Sequence, residues 1–118
     1  MYRNYYVEAT ADDQAQARRL EAAALDTVVE KLRAARNVGG CGAPLAEALD
    51  SLEALWAVFL GDVSDPGNAL PADLRTDIVS IGRWIFARSA VLRNCEECNL
   101  DSLIDVNSAI RDGLRGSR

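Results

Sequence analysis

Apolar positions recur at helical spacing in four stretches of this chain, and polar or glycine-rich breaks separate them. Leu25, Val28, Leu32 and Ala35 follow one another at steps of 3, 4 and 3, which places them on one helical face. Leu20 and Ala24 are read as carrying that surface back towards the N-terminus. Leu45, Leu49, Leu52, Trp56 and Phe59 recur at steps of 4, 3, 4 and 3, a heptad-like stripe. Leu74, Ile78, Ile81 and Ile85 follow at steps of 4, 3 and 4, with Trp84 one position off the stripe and Leu92 resuming it beyond Arg88. Leu100, Leu103, Asn107, Ile110 and Leu114 close the series at steps of 3, 4, 3 and 4. No stretch alternates with the period of a strand, and there is no internal repeat or low-complexity linker.

The breaks set the boundaries. Thr10-Ala11-Asp12-Asp13 fits a capping box, so a long first helix is expected from there to about Arg36. Asn37 to Gly42 holds three glycines in four positions, 39 to 42, and ends that helix. Pro44 suits the first turn of the second helix, where a missing amide costs nothing. Gly61 to Ala69 is read as the next break, and Pro71 as the start of the third helix. The polar run Asn94 to Asn99 precedes a last helix from Leu100. Residues 1–9 form a short aromatic arm, and residues 115–118 a tail expected to fray. The prediction is an all-α single domain over residues 1–118, a small bundle of about four amphipathic helices with a short N-terminal arm.

Bulk properties narrow the setting. At 118 residues, 49% hydrophobic, the chain can build one core. No apolar run approaches the roughly 20 residues that span a bilayer. The opening Met1 to Tyr6 lacks an apolar signal core, so a cytoplasmic location is expected. The net charge of −5 is uneven: residues 1–40 sum to 0, residues 41–80 to −6 and residues 81–118 to +1. An acidic middle repels phosphate backbones, which disfavours nucleic-acid binding. Arg83, Arg88 and Arg93 line up at roughly helical spacing but have no aromatic stacking platform beside them.

Candidate chemistry is sparse. The chain has no histidine, which removes Ser–His and Cys–His nucleophilic arrangements. Carboxylate pairs such as Asp62 with Asp65, or Asp73 with Asp77, read as solvated surface acids. Gly39-Gly40-Cys41-Gly42 lacks the lysine and preceding strand of a phosphate loop. Cys95-Glu96-Glu97-Cys98 has the spacing of half a zinc site or of a redox pair. Its two glutamates disfavour a thiolate, and incidental reduced cysteines are the favoured reading over both. The expectation is a protein that is not an enzyme and that takes no cofactor and no metal.

Binding is the better prospect. Trp56 and Trp84 lie on or beside apolar stripes and read first as core residues. The functional alternative is a groove lined by Trp56, Phe59, Trp84 and Ile85 that accepts an amphipathic helix. Tyr2, Tyr5 and Tyr6 on the arm, beside Arg3, are residue types enriched at binding hot spots. These seven apolar and aromatic residues are the candidate partner contacts. Asn107 interrupts an apolar seam and has a structural reading, either as an amide satisfied by backbone or as a register-fixing polar residue.

The segment from Leu55 to Ile85 carries a resemblance. Its order Leu55-Trp56, then Asp65-Pro66-Gly67-Asn68-Ala69-Leu70-Pro71, Leu74-Arg75, Ile78, Ser80-Ile81 and Trp84 closely resembles the FlaF family of flagellar biosynthesis regulators. Leu103-Ile104-Asp105-Val106-Asn107, Ile110 and Gly113-Leu114 look like that family's ending, and Tyr5 before an alanine- and arginine-rich helix like its opening. The resemblance implies a regulator that binds flagellin before export, as an adaptor or secretion chaperone, with other flagellar regulators or export components as further partners. Direct RNA binding to control flagellin translation is the alternative. A thiol-based sensor on Cys95 and Cys98 ranks third. The resemblance names no catalytic residue and does not use the Cys95–Cys98 pair.

Overall fold

The computed structural model describes residues 11–68 and 70–116, with side chains from residue 15 onward. Among the described residues there are four α-helices and no strand: α1 Ala11–Asn37, α2 Ala43–Ser64, α3 Ala72–Arg93 and α4 Asp101–Leu114. The expected all-α fold is therefore the observed one. Tyr2, Tyr5, Tyr6 and the proposed Thr10 cap lie outside the described residues.

The helices run up, down, up and down. Ion pairs fix the antiparallel neighbours: Lys31 of α1 to Glu47 of α2 at 3.5 Å, Arg93 of α3 to Asp50 of α2 at 2.6 Å, and Arg36 of α1 to Asp101 at the start of α4 at 3.0 Å. α1 packs against both α2 and α4, whereas α3 packs mainly against α2. The result is elongated, 45 × 26 × 24 Å, because a 27-residue α1 is about 40 Å long.

The helical stripes bury as their spacing requires. Val28, Leu32 and Ala35 of α1 meet Leu45, Leu49, Leu52 and Trp56 of α2, Leu92, Leu100 and Leu103 complete the core, and Leu25 is fully buried as well. Each fully buried leucine contributes about 1.5–3 kcal/mol relative to exposure. Leu20 departs from expectation: it is 62% exposed, and Ala22 carries the buried face instead. The reason is that the α1 stripe shifts towards its N-terminus, where its neighbours thin out.

One boundary also moves. α2 continues through Gly61 to Ser64, and the break is shorter than Gly61 to Ala69. Val63 is buried, so packing of the last turn outweighs the roughly 1 kcal/mol that a helical glycine costs. The turn itself is built by Asp65-Pro66-Gly67-Asn68. Asn68 N–H donates to Asp65 O at 3.0 Å, Gly67 N–H donates to the Asp65 carboxylate at 2.7 Å, and Leu70 N–H donates to Asn68 Oδ1 at 2.9 Å. This motif spans the α2–α3 connection, and its proline and its side-chain-to-backbone bonds are turn chemistry.

α1 and α3 end alike. Gly40 N–H donates to Ala35 O and Gly39 N–H to Arg36 O, while Glu96 N–H donates to Val91 O and Cys95 N–H to Leu92 O. Both are Schellman turns, with Gly39 at φ 106° followed by Gly40 at φ 76° in the first and Cys95 at φ 56° in the second. A left-handed cysteine is uncommon, since its Cβ crowds the backbone.

Candidate functional site

The two ends of the bundle differ in how much apolar surface they cover. At the end that carries the α1–α2 and α3–α4 connections, Leu32, Ala35, Leu49, Leu92, Leu100 and Leu103 are all fully buried. Towards the other end, Leu20, Leu70 and Leu74 are exposed and Ile78 and Ile81 are only half-buried, while Val58 and Trp84 are exposed at mid-height, near the contact of Gly82 with Leu60. The α3 stripe explains the gradient. It is exposed at Leu74, half-buried at Ile78 and Ile81, and fully buried at Ile85. α3 meets α2 closely at Gly82, where a Cβ would lie 2.6 Å from Leu60 Cδ2. Towards its N-terminus α3 has few neighbours, so its apolar residues remain on the surface.

The four groove candidates separate by burial. Trp56 is 1% exposed and Ile85 fully buried, so both are core residues. Phe59 is half-buried and packs edge-to-face on Trp56, with ring centroids 5.2 Å apart. Trp84 is the one that reaches the surface, at 38% exposure. These four side chains therefore do not line a single open groove. Leu74 belongs to the stripe that its spacing marks as inward-facing, yet it is exposed, because periodicity marks a face whether or not a neighbour is there to cover it.

Trp56 is held by a buried polar link. Its indole N–H donates to Asn107 Oδ1 at 2.8 Å, and Asn107 Nδ2 donates to Leu103 O at 2.8 Å. Both structural readings of Asn107 are met at once: the amide is satisfied by backbone, and it fixes α4 against α2.

Charges are distributed as the packing needs. The acidic face of α2 is paired: Glu47 with Lys31, and Asp50 and Glu53 with Arg93. Glu53 also accepts a hydrogen bond from Ser89. Arg88 binds the Glu97 carboxylate and holds it below its ordinary pKa. Two of the three aligned arginines thus already have carboxylate partners, which leaves less cationic surface for RNA. Near the exposed end, Glu21 of α1 is half-buried and its pKa is raised, first by burial and then by Asp62 of α2, against a lowering by Arg18.

No arrangement of catalytic groups emerges among the described residues. The depression along α3, lined by Arg75, Thr76, Val79, Ser80 and Arg83, is shallow and open. Among the described residues no group of His, Cys, Asp and Glu is arranged to hold a metal ion, and no helix is long and apolar enough to cross a membrane. What the geometry offers is an apolar surface at the start of α3, from exposed Leu70 and Leu74 to half-buried Ile78 and Ile81.

Comparison with known proteins agrees with the motif order read above. The family model of the flagellar protein FlaF matches residues 2–114, and the chain belongs to that family. No curated protein and no solved structure matches the chain.

Proposed function

From that membership, we propose that the protein acts in the cytoplasm as a flagellin-binding adaptor, covering flagellin before export and coupling its synthesis to that export. The observation that carries this reading is the apolar row at the start of α3, exposed at Leu70 and Leu74 and half-buried at Ile78 and Ile81. A helical segment with an apolar stripe fits such a surface, because it can exchange water for side-chain contact along i, i+3 and i+4 positions. Flagellin before assembly has helical, hydrophobic ends that need such cover. Asp73 and Asp77, on the first turns of α3, add acidic charge beside the row and favour a partner segment with basic flanks. The tyrosine arm adds further contact area. Control of flagellin synthesis then follows from the balance of free and flagellin-bound protein.

The test is calorimetric titration with flagellin from the same genome, with total RNA as a parallel titrant. Micromolar or tighter binding to flagellin alone is the expected result. Leu74→Ser should weaken it while the helical circular dichroism persists. Binding to RNA without binding to flagellin would replace this reading with direct translational control.

A further inference from the structure

All three cysteines of the chain meet at one place. Cys41 Sγ lies 2.7 Å from Cys95 Sγ and 3.3 Å from Cys98 Sγ, although 54 and 57 residues separate them in sequence. They come from different connections: Cys41 from the segment between α1 and α2, and Cys95 and Cys98 from the segment between α3 and α4. The CxxC spacing suggests that Cys95 and Cys98 belong together, but the short contacts run from Cys41 to each of them.

Three features of the backbone assemble this cluster. Cys95 occupies the left-handed position of the α3 Schellman turn, where glycine is usual and no side chain is needed. Gly40, next to Cys41, approaches the other connection so closely that a Cβ would lie 2.8 Å from Cys98 O. Arg88 binds both the Glu97 side chain and, at 3.3 Å, Asn99 O, which anchors the segment carrying Cys98. Cys95 and Cys98 are exposed and Cys41 half-buried, so a small solute oxidant reaches the sulfurs.

We propose that Cys41 is the shared partner of a reversible disulfide, formed with Cys95 and exchangeable to Cys98, that ties the α1–α2 connection to the α3–α4 connection. The oxidant is of the peroxide class. The Cys95 thiolate attacks one oxygen of hydrogen peroxide, the O–O bond breaks, and the hydroxide released leaves as water after taking up a proton. The Cys95 sulfenic acid is then attacked by the Cys41 sulfur, whose proton departs with the sulfenic hydroxyl as a second water. Two S–H bonds are lost, one S–S bond forms, and peroxide is reduced to two waters. Cys98 relocates the bond by attacking the Cys41 sulfur, forming Cys41–Cys98 and releasing Cys95 as a thiolate, and two equivalents of a small-molecule thiol reverse it by the same exchange, leaving as their own disulfide. Hydrogen bonding to Cys95, then to Cys98, pushes the Cys41 pKa up to about 12, so Cys41 keeps its proton in the reduced cluster and is not the thiol that meets peroxide first.

The proposal is independent of flagellin binding. Its test is peroxide treatment of the reduced full-length protein, followed by alkylation, digestion and mass spectrometry. The expected product is a Cys41–Cys95 linked peptide, with a minor Cys41–Cys98 species. Cys98→Ser should leave Cys41–Cys95 alone, and Cys95→Ser should leave only Cys41–Cys98. Cys41→Ser should abolish both links while its reduced form keeps wild-type circular dichroism. A dominant Cys95–Cys98 disulfide in the wild type would overturn the proposal. So would unchanged alkylation of Cys41 after oxidation.

Discussion

The two tryptophans stand at about the same height in this bundle but on different faces, as the contacts of Gly82 with Leu60 and of Ser89 with Glu53 require. Trp56 is sealed among α1, α2 and α4 and donates its indole hydrogen to Asn107. Trp84, on the neighbouring α3, has over a third of its surface in water. Both residues lie on or beside apolar stripes of similar regularity. What separates them is the number of helices around each, since α3 has α2 as its main support. A stripe predicts which face turns inward, but burial depends on whether another element arrives to cover it. In this fold the end that carries the α1–α2 and α3–α4 connections buries its leucines, and the opposite end keeps Leu20, Leu70 and Leu74 on the surface.

The largest expected effect comes from cutting the two tryptophans to the same size. Trp56→Ala opens a cavity in the core and strands the Asn107 carbonyl oxygen, and should cost about 4 kcal/mol. That is a large share of the roughly 5–15 kcal/mol that stabilises an ordinary domain. Trp84→Ala should cost about 1 kcal/mol, because much of the ring is already hydrated. Urea unfolding followed by circular dichroism checks both. Equal losses would mean that the inner and outer faces are equally packed at this height, and the difference in burial would have no energetic content.

Glycines sharpen the contrast between these closed and open ends with a methyl group in place of a ring. Gly40 at the closed end has a left-handed φ of 76°, and an added Cβ would meet Cys98 O at 2.8 Å. Gly40→Ala should therefore destabilise the fold by about 2 kcal/mol and draw Cys41 away from Cys95 and Cys98, visible as loss of their cross-link after oxidation. Gly61, towards the open end, is helical and has nothing within 4 Å of where its Cβ would stand. Gly61→Ala should raise stability by about 0.5–1 kcal/mol through helix propensity alone. Thermal unfolding of the two variants should move Tm in opposite directions. A loss in both would place an unseen contact on Gly61.

These contrasts also show which parts of the molecule the sequence makes legible. Helix number, order and inward faces follow from local periodicity, which is why Leu25, Leu49, Leu92 and Leu103 are buried as expected. The Asp65–Asn68 turn is legible because proline, glycine and short polar side chains act on their own neighbouring backbone. The continuation of α2 past Gly61 was not legible, because Val63 decides it through a tertiary contact. The link between Trp56 and Asn107 joins residues 51 apart, and the meeting of Cys41 with Cys95 joins residues 54 apart. Nothing local distinguishes those pairs from any others. Only Gly40 beside Cys41 hinted at close approach, and a glycine-rich segment has too many explanations to point at one.

The smallest effect probes charge at the open end. Glu21 faces Asp62 in a half-buried site that favours its protonated form, so its folded-state pKa lies above its unfolded value. Between those two values the folded chain holds more proton than the unfolded one, and stability falls as pH rises through that window. At neutral pH the ionised Glu21 is therefore mildly unfavourable. Glu21→Gln keeps the shape and removes the charge, and should stabilise the protein at pH 7 by about 0.5 kcal/mol or less, given the screening at a site open to water. The advantage should vanish at pH values below the ordinary carboxylate range, where wild-type Glu21 is already neutral in both states. Denaturant midpoints at several pH values test the sign. A constant difference across that range would mean that the site tolerates the carboxylate, and that the open end is polar enough to solvate it despite the apolar row nearby.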